Sequence, residues 1–161
     1  MLTHQALQLI DAEIAKYPVE QKRSAVMSAL RIAQEEKGWL SPELIEFVAQ
    51  YLEMPPTQVM EVASFYSMYN LHQVGKYKLV ICTNLPCALR GAVSTVEYLQ
   101  EKLGIKIGET TQDGLFTLQV SECMGACGDA PVLIVNNHKM CGFMTPEAID
   151  KKIADLRIGG Q

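Results

Sequence analysis

No stretch of this 161-residue chain approaches the roughly 18 consecutive apolar residues that a membrane-spanning helix needs. Basic runs are missing too: 14 Lys and Arg stand against 18 Asp and Glu, for a formal net charge of −4. Nothing here attracts a phosphate backbone, so nucleic acid is not an expected partner. The first residues, Met1-Leu2-Thr3-His4-Gln5, lack a cationic segment followed by an apolar one, so no signal peptide is expected and the expected compartment is the cytoplasm. There is no G-x-G-x-x-G fingerprint, so the chain is expected to have no dinucleotide site of its own. There is no Ser/His/Asp or Cys/His arrangement for a nucleophile, and neither a repeat nor a low-complexity segment.

What is present suits a folded, water-soluble protein: 48% of residues are hydrophobic and 20% charged. A chain this long can bury a sizeable core without covalent staples. Its five cysteines therefore need another explanation. Four of them form two close pairs, Cys82-Thr-Asn-Leu-Pro-Cys87 and Cys123-Met-Gly-Ala-Cys127, and the fifth is Cys141. In a reducing compartment such pairs point to metal or redox chemistry more than to disulfides, and the odd count argues the same way.

Two halves read differently. Residues 1 to about 70 have helical periodicity. Leu7, Ile10 and Ile14 keep one face until Tyr17-Pro18. Val26, Leu30 and Ala33 line a second helix with Gly38 past its end. Ser41-Pro42-Glu43 is a helix start: a hydroxyl cap, proline at the first position, and an acid near the positive end of the dipole. Pro55-Pro56-Thr57 starts a fourth helix that runs into Phe65-Tyr66. After Gly75 the pattern becomes β-α-β-β-β-α. Strands are expected at Tyr77–Ile81, Leu115–Val120, Val132–Val135 and about Lys139–Gly142, with Asn136-Asn137 as a turn. Helices are expected from Gly91 to Leu103 and from Thr145-Pro146-Glu147 to a Gly159-Gly160 stop. The expected class is α+β, with a helical N-terminal domain over 1–74 and an α/β domain over 75–161.

The first β-α-β should be a parallel crossover. Parallel strands joined this way end at the same edge of the sheet, so the loops carrying the two cysteine pairs become neighbours. The 35 residues between Cys87 and Cys123 suffice for the crossover helix and the returning strand. Thiolate is a soft ligand that selects zinc, copper(I) or iron–sulfur clusters. A [2Fe–2S] cluster takes four cysteines and is net negative even when oxidised, so its loops should offer N–H donors. Gly125 and Gly128 would let the backbone come close, and Arg90 supplies a possible cation. Glu122 and Asp129 would lower the reduction potential if they pointed inward. From spacing alone three readings stay open. These are a cluster, a four-cysteine zinc site (whose pairs usually have two to four intervening residues), and buried or disulfide-linked cysteines. The missing C-x-x-C argues against a disulfide oxidoreductase. No histidine lies beside either pair, which argues against a Rieske centre.

At these residues the chain resembles the small thioredoxin-like iron–sulfur subunit of respiratory NADH–quinone oxidoreductase (complex I). The resemblance covers nearly the whole chain. Its marks are Val62-Ala63-Ser64-Phe65-Tyr66-Ser67-Met68-Tyr69, then Cys82-Thr83-Asn84-Leu85-Pro86-Cys87-Ala88-Leu89-Arg90-Gly91, then Cys123-Met124-Gly125-Ala126-Cys127 with Ala130-Pro131. It implies a thioredoxin-like C-terminal domain in which Cys82, Cys87, Cys123 and Cys127 bind one [2Fe–2S] cluster. It also implies a flavoprotein partner that binds FMN and oxidises NADH, and other subunits of the complex's peripheral arm. The chain would exchange single electrons with that flavin while having no substrate site of its own. It would lie on the inner face of the plasma membrane without entering it. Related subunits serve NAD-linked formate dehydrogenases and hydrogenases. A zinc-stabilised interaction module and a free-standing thiol enzyme are the readings from other classes.

The remaining residues are expected to be structural. Trp39 reads as a core or interdomain anchor, and Phe65, Tyr66 and Tyr69 as core and domain-linking aromatics. Cys141 reads as a small buried hydrophobe and not a fifth ligand. His4, His72 and His138 are expected in solvent, the eight methionines as gap fillers, and Glu35-Glu36-Lys37 as a solvated helix end.

Overall fold

The computed structural model describes residues 1–159. The chain divides into two compact units, Met1–Gln73 and Val74–Gln161. No helix among the described residues is long and apolar enough to cross a membrane.

The first unit is helical. Its elements are α1 (His4–Ile14), a 3-10 stretch (Val19–Ala25), α2 (Val26–Lys37), α3 (Pro42–Leu52) and α4 (Pro56–Phe65). The starts follow the expected chemistry. Ser41 Oγ accepts the Leu44 N–H at 3.2 Å, and Thr3 Oγ1 accepts that of Ala6 at 3.3 Å, each satisfying a donor that the first helical turn leaves open. Gly38 closes α2 in the left-handed region, at φ 83°. The 3-10 stretch has no periodic signal in the sequence. It follows Pro18, which ends the helical register without supplying a side-chain cap. Ile10, Leu30, Leu40, Val48, Leu52 and Val59 form the heart of this unit's core. Tyr51 ties α3 to α1 by donating to Asp11 Oδ1 at 2.6 Å, and this bond pushes its phenol up to about 12.

Several residues of this unit depart from expectation. Trp39 is half-buried and stands outside the core cluster. Of the three aromatics only Tyr69 is buried, donating its hydroxyl to the Met27 carbonyl at 2.8 Å. Phe65 is 79% exposed and Tyr66 is also exposed, because α4 ends at Phe65 and the chain leaves its apolar face there. Five of the eight methionines, Met1, Met27, Met60, Met68 and Met140, are exposed; Met144 is buried, and Met54 and Met124 pack against cores. The three histidines are exposed, as expected.

Glu36 is not simply part of a solvated helix end. Its carboxylate accepts the Thr3 hydroxyl at 2.7 Å and the Thr3 N–H at 3.0 Å, and pairs with Lys37 Nζ at 2.7 Å. Lys37 first, then Thr3, hold its carboxyl down at about 2, against 4.5 ordinarily.

The second unit is a four-stranded sheet in the order β2-β1-β3-β4. Its strands are β1 (Tyr77–Cys82), β2 (Phe116–Ser121), β3 (Leu133–Val135) and β4 (Lys139–Cys141). A short α5 (Leu85–Leu89) and α6 (Ala92–Leu103) link β1 to β2, and α7 (Pro146–Arg157) follows β4. β1 and β2 are parallel, as the crossover argument requires, while β3 and β4 are antiparallel to their neighbours. Asn136 and Asn137 both have positive φ, 51° and 61°, and the His138 N–H donates to the Val135 carbonyl at 3.0 Å, a tight turn within the three-residue connection that the Val135–Lys139 pairing leaves. Side chains alternate along each strand. Tyr77, Leu79 and Ile81 thus share one apolar core with Val96 and Leu99 of α6 and with Ile149 and Ile153 of α7. Thr145 caps α7, accepting the Ala148 N–H at 3.3 Å. Gly159 follows α7 at φ 84°; the Gly160 half of the expected stop lies outside the described residues.

Phe116 anchors this core. It is fully buried, with its ring centroid 5.8 Å from that of Tyr77. Phe116→Ala should cost about 3–5 kcal/mol, as large-to-small changes in tight cores do, read by chemical denaturation. For Glu36 the sign is that of a lowered carboxyl. Its contribution is complete above the unfolded value of 4.5 and is lost as pH falls toward about 2. Acid unfolding followed by the fluorescence of Trp39, the one tryptophan, should therefore be less steep over that window in Glu36→Gln than in the unaltered chain.

Candidate metal centre

Cys82 is the last residue of β1 and pairs in register with Ser121, the last residue of β2. This pairing places Cys123, two residues beyond Ser121, beside the loop that leaves Cys82. The loops touch directly: Cys82 Sγ donates to the Glu122 carbonyl at 2.7 Å, and the Thr83 N–H donates to the Ser121 carbonyl at 2.9 Å. Asn84 Nδ2 reaches Glu122 Oε2 at 3.4 Å.

Cys87 comes back toward Cys82 because Leu85–Leu89 coil into α5. Asn84 is its cap, accepting the Leu85 N–H at 2.9 Å, with Pro86 in its first turn. It is a looser form of the Ser41-Pro42 and Thr145-Pro146 starts, with proline one place later and the cap bonded to its immediate neighbour. The Asn84-Leu85-Pro86 triplet therefore signals a helix where periodicity alone shows only a loop. Being helical, the segment turns Cys87 inward and leaves Leu85 and Leu89 exposed.

The two pairs differ in environment. Cys82 and Cys87 are buried, on a floor of Ala92, Ala130 and Val132, with Met124 and Ala126 packed against it. Cys123 and Cys127 are exposed. Burial first, and then the neighbouring Cys82 thiol, push the Cys87 thiol up, while the Val132 backbone N–H pulls the other way and Cys127 adds a smaller upward push. The Gly125 N–H donates to Cys123 Sγ at 3.4 Å, and Gly125 itself has φ 71°, a left-handed conformation that glycine adopts without steric cost. Gly128, by contrast, has ordinary φ and open space where a Cβ would stand. Arg90, Glu122 and Asp129 are exposed.

All five cysteines are free thiols. The loops are brought together, but among the described residues no three Cys, His, Asp or Glu side chains close to metal-holding geometry. The donor set nonetheless fits a cluster. Four soft sulfurs come from adjacent loops, an apolar floor lies beneath two of them, and a backbone N–H points at a third. The Cys82 bond to Glu122 is one that only the protonated thiol can make, so it must break when that sulfur becomes a ligand. Cys141 lies elsewhere, on β4 opposite Leu133, half-buried against the apolar core, as a small hydrophobe would be.

Residues 10–157 match the thioredoxin-like [2Fe-2S] ferredoxin family. The chain is 45% identical to NADH-quinone oxidoreductase subunit 2 of Thermus thermophilus over 150 residues, 93% of this chain and 83% of the relative. It is 48% identical to an NADH-quinone oxidoreductase subunit of Rickettsia felis over 148 residues, 91% of this chain and 88% of the relative. Among solved structures, an NAD+-reducing [NiFe]-hydrogenase has the same fold, with a TM-score of 0.69 at 18% identity over 80% of this chain and 22% of that one.

The placement of the thiols makes a sharp prediction. Cys141→Ser should keep the visible iron–sulfur spectrum of anaerobically purified protein, and Cys123→Ser should lose or alter it. Loss of the spectrum in the Cys141 variant would contradict the ligand assignment.

Proposed function

The chain belongs to the thioredoxin-like [2Fe-2S] ferredoxin family, and on that premise we propose that it is the electron-carrying subunit of an NADH–quinone oxidoreductase. The observation that carries this reading is the 48% identity to a subunit of such an enzyme across nearly the full length of both chains. The hydrogenase relative supports the fold, and its 18% identity adds nothing to the choice of complex.

In this reading Cys82, Cys87, Cys123 and Cys127 hold one [2Fe–2S] cluster. The bound cluster supplies one-electron chemistry, whereas NADH yields a hydride, so FMN on a partner flavoprotein is required to convert between them. The chain's own residues do the rest. Cys82 and Cys87, on their apolar floor, shield one side of the site from water. Cys123 and Cys127, exposed in their loop, mark the side open to a partner. The Gly125 N–H stabilises negative charge on Cys123 sulfur, and Arg90, three residues after Cys87, adds a cation to the same loop. The first unit has no cysteine; we assign it to docking within the complex and the chemistry to the second unit. The whole assembly would sit at the inner face of the plasma membrane, with this chain peripheral to it.

The test is to mix the purified chain with NADH anaerobically and follow the visible absorption. Bleaching should require the FMN-containing flavoprotein, and bleaching by NADH alone would show a nicotinamide site on this chain. A chain lacking residues 1–73 should keep its colour but need more flavoprotein to bleach; unchanged affinity would move docking to the second unit.

A further inference from the structure

The segment after β4 is folded back onto the loop that carries Cys123 and Cys127. The Phe143 N–H donates to the Asp129 carbonyl at 2.6 Å, and the Met144 N–H donates to the Pro131 carbonyl at 3.1 Å. Gly142 makes this approach possible. A Cβ there would stand 2.6 Å from Asp129 Cβ and 2.9 Å from Asp129 O. Separations that short force something to shift, and one of the two atoms is backbone, so only glycine fits without moving the loop.

Phe143 has a φ of 52°, the left-handed region that a bulky residue enters only at a cost in conformational energy. The residue is 56% exposed, so burial does not repay that cost. The bond to Asp129 holds the segment in place, together with its two anchors. On one side Cys141 pairs with Leu133 in the sheet. On the other, Met144 is buried in the apolar core and Thr145 caps α7. Backbone strain of this kind persists where the surroundings over-determine it, and it concentrates at functional sites.

We propose that Gly142-Phe143-Met144 is a positioning latch: it clamps the backbone at Asp129 and Pro131 and so sets where the Cys127 sulfur stands relative to Cys82 and Cys87. The inference rests on the [2Fe–2S] reading above and adds residues that none of the cysteine spacings reveal. Gly142 and Phe143 act through the loop.

The experiment uses the full chain, purified anaerobically with its iron. Gly142→Ala should move the g-values of the reduced cluster and its midpoint potential away from those of the unaltered protein. It should also lose its colour to an iron chelator severalfold faster. Phe116→Leu, a core change in β2 at the Tyr77 end of the sheet, lowers stability and alters no residue of the latch or its anchors, so its g-values and potential should stay unchanged. Phe143→Gly keeps the N–H and eases the φ, so it should keep the signature with equal or higher thermal stability. Independently of any variant, hydrogen exchange in the loaded protein should find the Phe143 amide as slow as those of the sheet. That measurement decides the matter if Gly142→Ala does not fold. An iron-loaded Gly142→Ala with unmoved g-values and potential would overturn the latch alone, as would exchange of the Phe143 amide at open-loop rates. Unaltered protein that purifies without iron would overturn the cluster reading, and the latch's purpose with it.

Discussion

The parallel pairing of β1 with β2 is the constraint on which the candidate centre depends. Register sets Cys82 against Ser121, and a slip of one residue would turn the whole strand over, because side chains alternate. Cys82 would then face the core that Tyr77, Leu79 and Ile81 now fill. That core is therefore what holds the register. Phe116, Leu118, Val96 and Leu99 pack against those three residues from β2 and α6, so the apolar interior of the second unit fixes the place of a polar, reactive group at its edge. Long-range placement of four thiols is achieved by burying side chains that take no part in the chemistry.

Within that frame the two halves of the site are asymmetric. One cysteine pair is seated on an apolar floor and the other is open to solvent. Burial disfavours a thiolate, and it pushes the Cys87 thiol up. A bound cluster would distribute that charge over all its ligands, with the Gly125 N–H already directed at Cys123. In the proposed reading the exposed pair lies on the side where electrons would enter or leave. An arrangement buried on one face and open on the other is what an electron carrier needs, since a site sealed on every side would keep a partner's flavin at a distance.

Much of this is legible in the residues, for physical reasons that can be named. Helix starts at Ser41-Pro42 and Thr145-Pro146 and the stop at Gly38 are local chemistry, written in single residues and their neighbours. The two strands before the cysteine pairs are short apolar runs, and the parallel crossover follows from chain topology. What the residues do not announce is of two kinds. Asn84-Leu85-Pro86 is a local signal masked by its brevity: the cap-then-proline rule applies, but a five-residue helix has no periodicity to support it. Trp39, Phe65 and Glu36 depend instead on tertiary context. Periodicity says that a face is apolar but not where a helix end projects, and no local rule brings Glu36 to Thr3, 33 residues away. Gly142 belongs to this second kind. In sequence it is an ordinary glycine at the end of an expected strand; its reason is the nearness of Asp129, a contact between two loops that only the folded chain creates.

The central claim is that these four sulfurs hold iron and sulfide together. X-ray absorption at the iron edge, with iron, zinc and acid-labile sulfide measured on the same anaerobic sample, tests it most directly. The account predicts iron and sulfide in equal amounts, two of each per chain. It also predicts iron coordinated by sulfur alone, with a second iron in the next shell. Stoichiometric zinc in place of iron, or a single iron with no iron neighbour, would contradict it.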